Sequence, residues 1–66
     1  MHTYRLVRTG SAVKVFVDGI PDVTVDANRR NEMRDYMASA GLTLEEIDHK
    51  VHELYITNTT EFRGGR

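Results

Sequence analysis

His49 and His52 stand three residues apart among Glu45, Asp48 and Glu53, and imidazole beside carboxylate is a donor set that zinc accepts. A helical zinc site also needs a third rigid ligand and outer partners that orient the first two. The same spacing has a plainer reading, in which Glu45–His49 and Asp48–His52 are i, i+4 pairs on a solvated helix face, so no metal is expected. Nucleophilic chemistry has less to work with. There is no cysteine, Ser11 belongs to a tight turn, and Ser39 falls on the polar side of a helix away from either histidine. A chain of 66 residues also leaves little room for a water-excluding pocket. The expectation is a non-enzymatic protein with no cofactor.

Recognition remains, and two surfaces offer it. The first is an acidic arc formed by Glu45, Glu46, Asp48, His49, His52 and Glu53, with Lys50 as the one opposing lysine, suited to docking on a basic partner. The second is a set of cations with one aromatic: Arg5, Lys14, Phe16, Arg29, Arg30 and Arg34. Arg5, Lys14 and Phe16 would share the outer face of a strand pair, a mixture that single-strand nucleic-acid readers use for stacking and phosphate contact. Arg29 and Arg30 fall in the first turn of a helix, where the macrodipole favours acids. They either snorkel over the core toward Asp22 or Asp26, or join Arg34 in a contact with an anion or an acidic partner.

The elements that must position these residues follow from periodicity and punctuation. Tyr4–Thr9 and Ala12–Val17 are rich in β-branched residues and flank Gly10-Ser11, whose leading glycine suits a two-residue type II′ turn. That turn pairs Tyr4 with Val17, Leu6 with Val15 and Arg8 with Val13 on one face, the core face. Asp18 to Asp22 reads as a turn, Val23–Val25 as a short third strand, and Asp26 as the N-cap of a helix running to about Ala40. Met33, Tyr36, Met37 and Ala40 form its buried stripe, and Gly41 stops it. Thr43-Leu44-Glu45-Glu46 is a capping box with Leu42 and Ile47 as its hydrophobic staple, opening a second helix that ends near Tyr55. Its core stripe is Leu44, Ile47, Val51 and Leu54, and Ile56 would fall on the charged face. Tyr55 to Thr60 favours extended chain.

With 39% hydrophobic and 29% charged residues the composition is that of a folded chain. Nine Lys and Arg against ten Asp and Glu give a net charge of −1, so net charge makes no case for nucleic acid or an acidic membrane. The two helices are joined by Gly41-Leu42-Thr43, the length of a helix-turn-helix joint, but an acidic second helix would be repelled by phosphates. Arg63-Gly64-Gly65 resembles the diglycine end of ubiquitin-like and sulfur-carrier proteins of the β-grasp fold, which implies a tail activated as a carboxyl adduct. Arg66 follows the diglycine, and a capped helix fills much of the stretch from Leu42 to Arg63. That leaves little for the later strands of a β-grasp sheet, and the resemblance is not adopted.

The fold expected is α+β: an antiparallel β-hairpin, extended to a third strand or a C-terminal edge strand, packed on an antiparallel αα-hairpin. Residues 1–62 form one domain and 63–66 a flexible C-terminal tail. The function expected is that of a small cytoplasmic protein–protein interaction module, an accessory, regulatory or inhibitor protein of the kind phages and mobile elements encode. Its partner is another protein of unknown identity, with no membrane. Single-stranded nucleic-acid binding through the outer sheet face and a structural homodimer are the alternatives.

Overall fold

A computed structural model describes residues 1–65. The chain runs β1 (His2–Thr9), β2 (Ala12–Val17), β3 (Ile20–Asp26), α1 (Arg30–Ser39), α2 (Leu44–Thr57) and β4 (Thr59–Gly64). The four strands make one sheet in the order β3-β2-β1-β4, every neighbour antiparallel. The helices cover one face. The architecture is therefore α+β, with the expected hairpin widened on both sides and the C-terminal strand at an edge.

The hairpin register follows from its turn. Gly10 has φ +63 while Ser11 keeps a negative φ, as a type II′ turn requires, and Tyr4–Val17, Leu6–Val15 and Arg8–Val13 pair as expected. The second turn is tighter than the sequence suggests. Asp18 (φ +52) and Gly19 (φ +82) alone reverse the chain, the left-handed pair of a type I′ turn, so β3 already begins at Ile20. Asp18 supports that backbone by accepting from the Thr3 N–H at 2.9 Å and from His2 Nδ1 at 2.6 Å. Pro21 is accommodated because β3 is an edge strand, where a missing N–H need not cost a ladder bond.

α1 starts later than expected. Asp26 pairs with Ala12 at the end of β3, and its carboxylate accepts from the Asn28 N–H at 2.8 Å in a local turn instead of capping a helix. The cap position falls to Arg29, which offers no side-chain acceptor. At the other end Gly41 (φ +99) closes a Schellman motif, with the Leu42 and Gly41 N–H groups donating to Met37 and Ala38. α2 opens with the expected capping box: the Glu46 N–H donates to Thr43 Oγ1 at 3.2 Å and the Thr43 N–H to Glu46 Oε1 at 2.9 Å. It continues to Thr57 and ends on left-handed Asn58 (φ +66).

Between the layers lie Tyr4, Leu6, Val13, Val15, Met33, Met37, Ile47, Val51 and Leu54. Val25, Ala27, Ala40 and Phe62 join them, and Val17 and Tyr36 pack at the margin. Leu44, expected in the core, is 73% exposed. It is the first helical residue of α2, where side chains lean toward the helix N-terminus and so away from the buried turns that carry Ile47, Val51 and Leu54. Residues 63–66, expected to be a flexible tail, need correction as well. Arg63 and Gly64 belong to β4, paired with Thr3 and His2, and the Gly65 N–H donates to the Ala40 carbonyl at 3.2 Å. Arg66 lies outside the described residues. Gly64 is glycine for want of space: a Cβ there would sit 2.6 Å from both the Ala40 carbonyl oxygen and the Tyr4 ring.

Candidate functional site

The acidic arc of α2 holds together, but most of its carboxylates are fastened within the molecule. Glu46 belongs to the capping box, and the Thr43 backbone N–H, with its hydroxyl, holds its carboxyl below the usual range. Asp48 accepts from Arg34 at 2.6 Å. Glu53 accepts the hydroxyl of buried Thr60 at 2.5 Å, which keeps its carboxyl low, and lies 4.0 Å from Lys50 Nζ. Glu45, His49 and His52 are exposed. Among the described residues no group of three or more His, Asp and Glu side chains is placed to hold a metal ion.

The second set of candidates is divided by the sheet. Arg5, Lys14 and Phe16 occupy the face without helices, as the register requires. There Arg5 Nε lies 3.8 Å from Glu61 on β4, and half-buried Phe16 is paired with Pro21 on β3. Arg30 and Arg34 on α1, and Arg29 at its N-cap, lie across the molecule. The expected salt-bridge partners of Arg29 are not the ones found: it lies 3.4 Å from Glu32 in the first turn of α1, while Asp22 accepts the Tyr36 hydroxyl and Asp26 caps the Asn28 turn. Burial, with the Asp22 carboxylate as acceptor, pushes the Tyr36 phenol upward.

What the structure adds to α1 comes from two distant segments. The core-facing column of β1 runs Tyr4, Leu6, Arg8, so the arginine projects from the sheet on the helix side. Tyr55, in the last turns of α2, donates its hydroxyl to the Ala27 carbonyl just ahead of α1. The guanidinium carbons of Arg8 and Arg30 lie 5.2 Å and 4.4 Å from the centre of the Tyr55 ring, within cation–π range. Among the described residues neither has a carboxylate within 4 Å, and Arg8 Nε is hidden from solvent with no acceptor.

These residues wall an open cavity of 640 Å³, with Asn28, Arg29, Asn31 and Glu32 completing its rim. A second cavity of 410 Å³ shares Arg30 and Tyr55 and continues past Arg34, Asp48 and His52 to Ile56. The result is a groove along the α1–α2 seam. Its first half sets Arg8, Arg29 and Arg30 against Glu32, at the helix end whose partial charge is also positive. Its second half carries an apolar side chain in the open, since Ile56 is 65% exposed. The arrangement can bind an anion by charge-assisted hydrogen bonds from planar guanidiniums, and can grip an apolar neighbour of that anion.

The sequence pointed to Arg29, Arg30 and Arg34 but not to Arg8 or Tyr55 as their companions. The available signal was the lone arginine on the apolar face of β1, opposite Val13. No helix of the described residues is long and apolar enough to cross a membrane. Compared with protein-family models, with curated proteins and with solved structures, the chain matches none.

Proposed function

We propose that this chain is a non-enzymatic interaction module for another protein, and that the groove between the start of α1 and the end of α2 takes an acidic segment of that partner. One observation carries the reading: Arg8 and Arg30, without carboxylate partners among the described residues, converge on a tyrosine whose hydroxyl is tied down. Two guanidiniums brought together repel each other, and a fold keeps such a pair more readily where an outside anion completes it. Exposed Ile56 beside them suits a protein segment, because an apolar anchor next to charge is what interface centres are built from. The acidic arc of α2 is the weaker docking surface, since Glu46, Asp48 and Glu53 are engaged inside the molecule.

The test is a titration of the isotopically labelled chain with a short peptide of Asp and Glu around one leucine, followed through its amide resonances at low and at physiological salt. The shifts should be confined to residues 27–34 and 52–56 and Arg8. Arg30→Glu should abolish them, and Glu45→Lys should leave them. Silence toward the peptide, with shifts at Arg5, Lys14 and Phe16 on adding single-stranded oligonucleotide, would move the function to the outer sheet face. Sedimentation as a stable dimer with the groove inside the interface would replace the partner by a second copy.

A further inference from the structure

We propose that the cavity at the start of α1 is a phosphomonoester site, so that the partner's acidic segment carries a phosphorylated side chain there. This rests on the reading of the groove just given and adds the chemistry of the group it receives.

The donors decide between anions. Arg8 brings a guanidinium whose Nε–H is sealed from water without an acceptor. Such a hidden donor is costly to leave unmade, and a ligand oxygen would answer it once the Arg8 side chain shifts to bring it to the cavity surface. Arg30 brings a second guanidinium, held like the first against Tyr55. The start of α1 brings the backbone N–H groups of Arg30 and Asn31, which have no acceptor among the described residues, and Arg29 supplies no side-chain cap. Two planar forks and two backbone donors exceed what one carboxylate, with two oxygens and one charge, can answer. A phosphomonoester presents three terminal oxygens and a charge of about −1.5 to −2. A phosphodiester within a nucleic-acid strand has two free oxygens and a single charge, so it fits this donor set less well. Glu32 on the rim does not disqualify the site, because its charge is answered by Arg29 at 3.4 Å. The cavity is open enough for a phosphate that is still attached to a chain.

The experiment uses the full chain and four probes. Three are copies of one acidic peptide with phosphoserine, glutamate or serine at a single position; the fourth is a thymidine oligonucleotide without terminal phosphates. The phosphoserine peptide should bind about tenfold or more tightly than the glutamate peptide. Exposed Arg30 is replaced in Arg30→Gln, which should erase that preference. Arg8→Lys keeps the charge and loses the fork and the Nε–H, and it should reduce the preference too. Arg5→Gln, on the far face of the sheet, should keep it. Equal affinity for phosphoserine and glutamate would overturn the phosphoryl site and leave the acidic-segment reading standing. Failure of all three peptides would overturn both. Tightest binding of the oligonucleotide would overturn the site in favour of a nucleic-acid backbone, and a phosphoserine preference that survives both Arg30→Gln and Arg8→Lys would put it elsewhere.

Discussion

Arg8 sits where a core side chain would continue the column of Tyr4 and Leu6, and its Nε is hidden from solvent with no acceptor among the described residues. That burden works against stability. Replacing it by methionine keeps the volume and removes the unmade bond. Arg8→Met should raise unfolding stability by about 1 kcal/mol in urea denaturation while weakening capture of acidic peptide. Three carboxylates behave in the opposite way. Asp18, Glu46 and Glu53 are held low, chiefly by the Thr3 N–H, the Thr43 N–H and the Thr60 hydroxyl respectively. Because their folded pKa values lie below the ordinary 3.8 and 4.5, their contribution is complete above those values. It is lost as pH falls through the folded values. Melting temperatures should drop as acid is added below about pH 4, and the triple variant Asp18→Asn, Glu46→Gln, Glu53→Gln should show a flatter slope. Arg8 itself was visible in the sequence, as the charged member of an otherwise apolar column. Its companionship with Tyr55 was not, because nothing local relates a strand end to the last turns of a helix much later in the chain.

The elements divide according to how local their instructions are. The Gly10-Ser11 turn sets one register and the Thr43–Glu46 box sets one helix start, and both are complete within a few residues, so the sequence alone places them. The start of α1 is different. Asp26 is chemically able to cap a helix, and pairing of β3 with β2 as far as Ala12–Asp26 takes it into the sheet instead. That tertiary choice leaves Arg29 at the cap, opposed to the helix dipole. Arg29→Asp should therefore stabilise the fold by about 0.3–1 kcal/mol, read from thermal melts, and should weaken binding of an acidic peptide. Such a paired result would mark the start of α1 as shaped for recognition rather than for helix stability.

For the whole molecule, the two layers meet tightly at the end of β4. Gly64 lies against the Tyr4 ring and the carbonyl that closes α1, with no room for a methyl group. Gly64→Ala should cost about 1–3 kcal/mol by chemical denaturation, although the same change at the exposed Gly65 meets nothing within 4 Å and should be close to neutral. A glycine pair that reads as a loose end is thus part of the seam between sheet and helices. The sequence offered no cue, since composition cannot distinguish a glycine that needs freedom from one that needs proximity. β1 also has neighbours of unlike origin: β2 lies one turn away, while β4 arrives only after both helices. Closing the first pair orders a short loop, whereas closing the second must order nearly the whole chain. The meander β1-β2-β3 can therefore form early and β4 dock last. Brief reversals of that final step would bare one edge of β1 while the rest of the sheet stays paired, so amide protons bonded between β1 and β4 should exchange with solvent sooner than those between β1 and β2.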